Sequence, residues 1–169
     1  GQLPARRRVN GRDDPAGDPD GTSGMSALIS RSSEETASFG RTFARRLRPG
    51  DVVGLHGTLG SGKTCFVGGV CQGLGVTAHV SSPTFTLINE YPAPFGLIAH
   101  IDLYRIRDRA ELTELGIGEY LNERCICLIE WAETVADLLP ADSIHVSFSF
   151  LEGEQERRIV IEEPAGPRA

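Results

Sequence analysis

Residues 57–64 read GTLGSGKT, and this stretch constrains the fold more than any other part of the chain. It fits GxxxxGK[ST], the pattern of a phosphate-binding P-loop. The apolar segment DVVGLH (51–56) precedes it, and we expect a helix from about Lys63 to Gln72 to follow it. A strand, this loop and a helix in that order are the context in which the pattern marks a true P-loop. The stretch therefore predicts an α/β domain that binds a nucleoside triphosphate.

The residue types in the loop suit bound phosphate. Glycine lets successive backbone N–H groups turn toward phosphate oxygens without a Cβ in the way. Lys63 can reach the β- and γ-phosphates, and the Thr64 hydroxyl is a hard oxygen ligand suited to Mg²⁺. The N-terminus of the following helix adds a partial positive charge. The expected nucleotide contacts in this part of the chain are Gly57, Leu59, Gly60, Ser61, Gly62, Lys63, Thr64 and Cys65.

Predicted strands and helices alternate along the rest of the chain. We expect helices at 32–48, 63–72, 108–122 and 131–139, and strands at 51–56, 84–91, 96–104 and 125–130, with a turn at 92–94. Near the C-terminus, SIHVSFSF and RRIVIE flank GEQE and predict a hairpin of alternating apolar residues. Together these elements predict an α/β, P-loop NTPase-like three-layer fold. Its central mixed, mostly parallel sheet is flanked by helices and carries a C-terminal hairpin.

Composition divides the chain into one domain and two tails. A length of 169 residues allows one domain with a substantial core. Residues 1–24 are rich in Arg, Asp, Gly and Pro and almost free of apolar residues. Such a stretch buries too little surface to offset its ordering entropy, so we expect a disordered extension. The ATPase-type domain is expected over 25–163 and a flexible tail over 164–169.

Charge and apolar content argue against two kinds of direct partner. The formal net charge is −6, whereas a broad nucleic-acid surface needs an excess of Lys and Arg on one face. Any role in RNA chemistry is therefore expected to be indirect. The longest apolar runs are strand-sized, far below the roughly 20 residues that span a bilayer, and no signal segment is recognised. We expect a cytoplasmic protein without a membrane partner, with its four cysteines reduced.

A P-loop protein needs a carboxylate at the end of another strand, to hold the metal ion or its waters. Two acids qualify: Asp102 ends GLIAHID and Glu130 ends CICLIE. A carboxylate at the end of an apolar strand is costly to desolvate unless a cation or hydrogen-bond donor meets it. Either acid could instead pair with an arginine, as Asp102 could with Arg105. Both acids remain candidates on this reasoning alone.

The segment SSPTFT (81–86) places hydroxyl side chains at Ser82, Thr84 and Thr86 around Pro83. Hydroxyl-bearing loops near a γ-phosphate act as switches in some nucleotide hydrolases, because they order with the triphosphate and loosen afterwards. A simple turn is the alternative interpretation of this segment.

Read in order, the motifs of this chain resemble those of the TsaE family, the P-loop ATPase subunit of bacterial tRNA threonylcarbamoyladenosine biosynthesis. The resemblance covers about 33–160 and comprises SEETASFG, GTLGSGKT, SPTFTL, EY, HIDLYR, ELTELGI and IEW. A P-loop alone is common, but this series in this order is specific. The resemblance implies an ATPase that assists the partner proteins TsaB and TsaD and is weak without them. ATP hydrolysis would reset that complex between cycles, and tRNA would be reached only through it.

The resemblance also implies roles for individual residues. Thr64 and Glu130 would ligate Mg²⁺, and Lys63 with the loop amides would hold the phosphates of ATP. Asp102, in the family's HxDLYR motif, would be needed for hydrolysis, either through a metal-bound water or by positioning the attacking water. The implied catalytic residues are thus Asp102, Glu130 and Lys63. Further implied contacts are Ser33 near the nucleotide base and Thr84 and Thr86 in the switch-like segment.

Two other functions stay open at this point. A small-molecule P-loop kinase would usually carry an Arg-rich lid, and no Arg-rich lid segment is recognised between the P-loop helix and the later strands. A nucleotide-gated binding module, whose hydrolysis is incidental, would share the same motifs. Tyr104 and Trp131 lie at motif positions to which the resemblance assigns no role.

Overall fold

The computed structural model describes residues 23–58, 60–83, 86–153 and 155–164, which form a seven-stranded mixed sheet with helices on both faces. The strands are β1 (Ser23–Ser30), β2 (Val52–His56), β3 (Ile88–Ala93), β4 (Gly96–Asp102), β5 (Cys125–Glu130), β6 (Ile144–Phe150) and β7 (Arg157–Pro164). The helices are α1 (Ser33–Phe43), α2 (Lys63–Gly73) and α3 (Arg109–Leu115), with short 3₁₀ turns at Ala44–Arg46, Ile117–Tyr120 and Ala132–Val135.

The order of the strands across the sheet is β1-β7-β6-β2-β5-β4-β3. The central pairs β6–β2, β2–β5 and β5–β4 are parallel. Strands β3 and β7 run antiparallel to their neighbours, and β1 is antiparallel to β7 in turn. The five strands β1, β6, β2, β5 and β4 therefore point the same way. The predicted mixed, mostly parallel sheet and its C-terminal hairpin, β6–β7, are confirmed.

The central strands are apolar because both of their faces are covered. Every residue of β5 is buried, and so are the first four residues of β2, as expected for parallel strands under helices on each side. One apolar cluster joins α1 and α2 to the sheet through residues such as Phe43, Phe66 and Leu128. A second cluster on the opposite face includes Leu112 of α3 and Val135. Each cluster lies between the sheet and the helices on one of its faces, so the domain has three layers.

Local signals in the sequence account for the start of α1. The side chain of Ser32 accepts a hydrogen bond from the backbone N–H of Glu35 at 3.0 Å, which satisfies one of the free donors of the first turn. Glu34 and Glu35 place negative charge at the positive end of the helix dipole. The expected N-terminus of this helix is confirmed, whereas the helix ends at Phe43 and only a 3₁₀ turn continues to Arg46.

Glycines let α1 approach α2 closely. A Cβ added at Gly40 would lie 2.4 Å from the carbonyl oxygen of Phe66, and one added at Gly69 would lie 2.0 Å from that of Ala37. Both distances are far below van der Waals contact, so the two backbones can meet only where no side chain intervenes. This contact places the start of α1 beside the start of α2.

Other predicted elements also differ from the structure; the strand expected over 96–104, for example, ends at Asp102. The helix expected over 131–139 is wrong, because Trp131 takes a left-handed conformation (φ 59°) and only the 3₁₀ turn Ala132–Val135 follows. The helix expected over 108–122 ends at Leu115, where Gly116 (φ 69°) caps it. A second 3₁₀ turn then covers Ile117–Tyr120.

The strand expected over 84–91 begins later, at Ile88, after Leu87 (φ 63°). It also includes Pro92, for which the sequence predicts a turn; proline is tolerated there because β3 lies at the edge of the sheet. Strand β1 was not predicted. It begins two residues before the expected domain start at Met25, and β7 runs one residue past the expected end at 163. The expectations for 1–22 and 165–169 lie outside the described residues. Across the described ranges, no helix is long and apolar enough to cross a membrane.

Candidate functional site

The loop between β2 and α2 follows a path that glycine makes accessible. Gly57, Gly60 and Gly62 have φ values of 145°, 77° and 105°, which residues with a Cβ rarely adopt. A Cβ at Gly57 would also lie 2.7 Å from Ser61 Oγ and 2.8 Å from the carbonyl oxygen of Phe148. The sequence prediction that these glycines serve backbone conformation therefore has a structural basis here. Leu59, in the same loop, lies outside the described residues.

A cavity of about 410 Å³ opens beside this loop. Residues 60–65 line it, together with residues at or just after the ends of β4 and β5 and with Ser82 from the segment before β3. The residues outside the loop are Ser82, Asp102, Tyr104, Arg105, Glu130 and Trp131. The structure thus brings the predicted loop residues and both candidate acids to one cavity.

Glu130 is buried at the end of β5, next to the first turn of α2. Its Oε1 accepts a hydrogen bond from the Thr64 hydroxyl at 3.3 Å. Its Oε2 lies 2.6 Å from Nε2 of His100, a buried residue of β4. Each oxygen of the carboxylate therefore has a hydrogen-bonding partner, which offsets the cost of its burial.

Asp102 lies at the same edge of the sheet, directly opposite Glu130 in the parallel register of β4 and β5. Its Oδ2 accepts a hydrogen bond from the Ser82 hydroxyl at 3.2 Å, and its Oδ1 accepts one from the backbone N–H of Tyr104 at 3.0 Å. Ser82 belongs to the SSPTFT segment, so that segment contacts one of the candidate acids. Thr86 instead donates to the Asn89 side chain at 3.0 Å. It lines neither this cavity nor the smaller one at Ser33 that is described below. Thr84 lies outside the described residues.

Lys63 is buried at the base of the loop. Its Nζ donates a hydrogen bond to the carbonyl oxygen of Gly57 and lies 3.8 Å from the ring centroid of Trp131, the sole tryptophan of the chain. The ring of Tyr104 lies 5.1 Å from that of Trp131. Burial lowers the pKa of Lys63 from its ordinary value, and the nearby carboxylates, chiefly that of Glu130, act in the opposite direction.

The donor atoms at this edge fit a hard divalent cation held together with a nucleotide. The Thr64 hydroxyl and the carboxylates of Glu130 and Asp102 supply oxygen, the ligand type that Mg²⁺ prefers. No group of three or more His, Cys, Asp or Glu side chains suited to a metal occurs in the part of the chain that the structure describes. Mg²⁺ in phosphate-transfer sites is held by one or two carboxylates, waters and substrate phosphates.

A second cavity of about 180 Å³ lies between the loop and the start of α1. Ser33 lines it, as do the loop residues Gly60 and Gly62 and the residues Gln155 and Arg157 of the C-terminal hairpin region. Cys65 lines both cavities, and its thiol donates to the carbonyl oxygen of Ser33 at 3.0 Å. Ser33 is therefore adjacent to the P-loop, where the family resemblance implies the nucleotide base.

Two histidines, His56 of β2 and His145 of β6, contact each other near the start of the loop. Nε2 of His56, the last residue of β2, is 2.9 Å from Nδ1 of His145, and Nδ1 of His56 is 3.2 Å from a carboxylate oxygen of Glu133. Burial lowers the pKa of His145, His56 lowers it further, and Glu162, opposite His145 on β7, raises it. Burial and the neighbouring His56 therefore make protonation of His145 less favourable.

The comparison with known proteins identifies the family. A profile described as "Threonylcarbamoyl adenosine biosynthesis protein TsaE" matches residues 30–159. The chain belongs to the TsaE family. A curated "tRNA threonylcarbamoyladenosine biosynthesis protein TsaE" of Bacillus subtilis is 40% identical over 126 residues, which cover 75% of this chain and 78% of the relative. The TsaE protein of Treponema pallidum is 40% identical over 129 residues, covering 76% and 95%.

A solved structure shows the same fold. The crystal structure of YdiB from Bacillus subtilis superposes with a TM-score of 0.71 and 31% sequence identity, covering 85% of this chain and 88% of that one. The TsaE resemblance predicted from the motifs is thereby confirmed, as is its extent of about 33–160. The place of this family is the biosynthesis of threonylcarbamoyladenosine in tRNA.

Sequence reasoning missed some residues that line or support the site of this TsaE-family chain. His100 stands in HIDLYR, two residues before Asp102, so the alternation of a strand could have placed both on one face. Its contact with Glu130 depends on how β4 and β5 pair, which no local pattern reveals. Gln155 is close to the loop only because the C-terminal hairpin joins the sheet beside β2.

Proposed function

We propose that this chain is a Mg²⁺-dependent ATPase and the accessory subunit of a TsaB–TsaD complex that forms threonylcarbamoyladenosine in tRNA. In this proposal ATP hydrolysis resets the complex between cycles. The observation that supports it most is the cavity shared by the P-loop, Thr64, Glu130 and Asp102, in a chain of the TsaE family.

The proposed binding roles follow from charge and hydrogen-bonding capacity. The backbone N–H groups of the loop, the N-terminus of α2 and Lys63 hold the phosphates. The nucleotide base occupies the neighbouring cavity at Ser33. Thr64 and Glu130 hold Mg²⁺, which when bound neutralises negative charge on the phosphate oxygens.

Asp102 is proposed to hold the water that attacks the γ-phosphate. Its two oxygens already accept hydrogen bonds from Ser82 and from the backbone of Tyr104, which restrict the rotation of the carboxylate. A restrained acceptor at the mouth of the cavity is suited to orienting a water molecule. The contact with Ser82 also gives the SSPTFT segment a direct connection to the proposed catalytic group.

Weak activity of the isolated chain is expected because the cavity is open. Tyr104, on its rim, is 53% exposed, and Arg105 beside it is exposed as well. Hydrolytic sites gain rate when a lid or a partner excludes bulk water and completes the arrangement of groups. We propose that TsaB and TsaD supply this cover, that tRNA is reached only through them in keeping with a net charge of −6, and that the complex acts in the cytoplasm.

Reconstitution tests the proposal. The purified chain is mixed with ATP and Mg²⁺, alone or with TsaB, TsaD and tRNA, and phosphate release and modified adenosine are followed together. We expect slow hydrolysis by the chain alone and acceleration by the partner proteins. Rapid hydrolysis in isolation would contradict the proposal, and phosphoryl transfer to a small metabolite would contradict it in favour of a kinase.

The variant Asp102→Ala separates turnover from gating. It should bind ATP and support an initial round of modification, but not repeated rounds, because hydrolysis is removed. The matched control is Asp142→Ala, which changes an exposed aspartate that does not line the cavity. If Asp102→Ala sustains repeated modification without hydrolysis, the chain is a nucleotide-gated binding module. Loss of ATP binding in this variant would show that the role given to Asp102 is wrong.

A further inference from the structure

His100 is a buried polar residue to which the proposed function assigns no role. Its side chain is fully buried in β4. Nε2 lies 2.6 Å from Oε2 of Glu130, while Nδ1 is buried and has no hydrogen-bond partner among the described residues. Within the part of the chain that the structure describes, the ring thus has a single polar contact, with the acid proposed to hold Mg²⁺.

The sheet register explains how the two side chains meet. In the parallel pair β4–β5, Asp102 is opposite Glu130 and His100 is opposite Leu128. Alternate residues of a strand point to the same face, so His100, Asp102 and Glu130 share one face of the sheet. Leu128 belongs to the apolar cluster with α1 and α2, so this is the face that carries the P-loop helix. His100 is level with Leu128, two residues before Glu130 on β5, and does not line the cavity.

The unpaired nitrogen determines which ring atom carries the proton. A buried N–H without an acceptor is rarer and more costly than an acceptor that lacks a donor. If the proton lay on Nδ1, an N–H would be buried without an acceptor, and Nε2 would need a protonated Glu130 as its donor. With the proton on Nε2, the ring donates to the carboxylate, and Nδ1 is an unprotonated acceptor that lacks a donor. The contacts therefore favour the Nε2–H tautomer.

We infer that His100 is a positioning residue. Its Nε2–H holds Oε2 of Glu130, so that Oε1 remains directed toward Thr64 and the proposed position of Mg²⁺. Oε2 is occupied by His100, whereas Oε1 faces the Thr64 hydroxyl at 3.3 Å. Without this donor, a carboxylate that is only 3% exposed loses a partner and its fixed orientation. This inference rests on the proposed function, because it takes Mg²⁺ bound with nucleotide as what Glu130 serves.

Two substitutions separate the hydrogen bond from the space that the ring fills. His100→Gln can place an amide N–H near the position of Nε2, whereas His100→Phe keeps a ring of similar size without a donor. His79→Gln, at an exposed histidine, is the matched control. Binding of ATP to the full chain is measured through the fluorescence of Trp131, with Mg²⁺ and with a chelator.

Removing the donor should affect binding only when Mg²⁺ is present. His100→Phe should reduce the gain in ATP affinity that Mg²⁺ provides by about 10- to 100-fold, the usual effect of losing a partner of a metal ligand. Affinity in the chelator should be unchanged. His100→Gln should recover most of the gain, and His79→Gln should match the unsubstituted chain. In a Glu130→Ala background, His100→Phe should have no further effect on the response to Mg²⁺.

A measurement on the unsubstituted chain tests the hydrogen bond even if His100→Phe fails to fold. ¹⁵N NMR of the ring nitrogens in histidine-labelled protein, which has four histidines, should show His100 with a protonated Nε2 and a bare Nδ1. The signal is assigned by its loss in His100→Gln. A bare Nε2 would overturn the inference.

The outcomes also separate this inference from the proposed function. A normal Mg²⁺ response in His100→Phe, or an equal loss of affinity with and without Mg²⁺, would leave His100 a packing role and overturn the inference alone. Failure of His100→Gln to recover the response would have the same meaning. If the unsubstituted chain shows no Mg²⁺-dependent ATP binding, the proposed function fails, and the positioning role with it.

Discussion

Gly68 and Gly69, adjacent in α2, should respond in opposite directions to the same substitution by alanine. A Cβ at Gly69 would lie 2.0 Å from the carbonyl oxygen of Ala37 in α1, whereas a Cβ at Gly68 meets no atom within 4 Å. Ordinary contact begins at 3.4 Å, so Gly69→Ala requires α1 and α2 to separate by 3.4 − 2.0 = 1.4 Å at this point. The obstacle is backbone, which no side-chain rotation can relieve.

The expected free energies follow from these contacts. Alanine is favoured over glycine inside a helix by about 1 kcal/mol, and this gain applies at both positions. Overpacking costs about 1–3 kcal/mol, and a clash with backbone belongs at the upper end of that range. Gly68→Ala should therefore raise the free energy of unfolding by about 0.5–1 kcal/mol, and Gly69→Ala should lower it by about 2 kcal/mol.

Urea unfolding, followed by Trp131 fluorescence and circular dichroism, measures both variants. With a slope of about 2 kcal/mol per M, the midpoint should fall by about 1 M for Gly69→Ala and rise by about 0.3–0.5 M for Gly68→Ala, with the slope unchanged. Because α1 carries Ser33 beside the P-loop, Gly69→Ala should also weaken nucleotide binding. The reasoning is refuted if Gly69→Ala unfolds at the same urea concentration as the unsubstituted chain, or if both substitutions destabilise it equally.

Three further predictions concern the site. Lys63→Ala should abolish ATP binding measured by calorimetry, because it removes the amine held at the base of the loop; retained affinity would contradict the role given to this lysine. Cys65 should be alkylated faster than the buried Cys71, whose pKa burial raises to about 12, and ATP should slow the reaction of Cys65 only, as read by mass spectrometry. Burial and His56 lower the pKa of His145, so the unfolded state binds the proton first. The free energy of unfolding should therefore fall as pH drops below about 6.5. Urea unfolding at a series of pH values should show a smaller fall in His145→Gln, and an equal dependence of the unfolding free energy on pH in that variant would contradict this cause.

The parts of the fold that local patterns describe could be predicted from sequence. The P-loop has a short motif whose glycines and Lys63 are recognised without any partner. The run CICLIE predicted a buried strand, and β5 has the predicted bounds, 125–130. The ends of such strands also indicated both acids, Asp102 and Glu130, before their spatial relation was known.

Other parts depend on tertiary contacts that no local pattern contains. Strand β1 leaves two of its apolar residues, Met25 and Ile29, exposed, and it pairs with β7 at the opposite end of the described chain. The helix expected after Glu130 has a suitable pattern, but the left-handed conformation of Trp131 turns the chain first. The contact between His100 and Glu130 exists only in the observed register of β4 and β5. For β1 and for His100 the deciding interaction joins residues far apart in sequence.

The contacts that Lys63 already makes determine the net free energy gained when a phosphate binds to its amine. An ammonium group has three donors, and here one of them already serves the Gly57 carbonyl while the Trp131 ring lies against the charge. A phosphate that recruits this amine exchanges one partner for another, so the net benefit is the difference between two interactions and smaller than the phosphate contact alone. The indole, in turn, loses its cation when the amine turns away, so its emission would register that exchange directly.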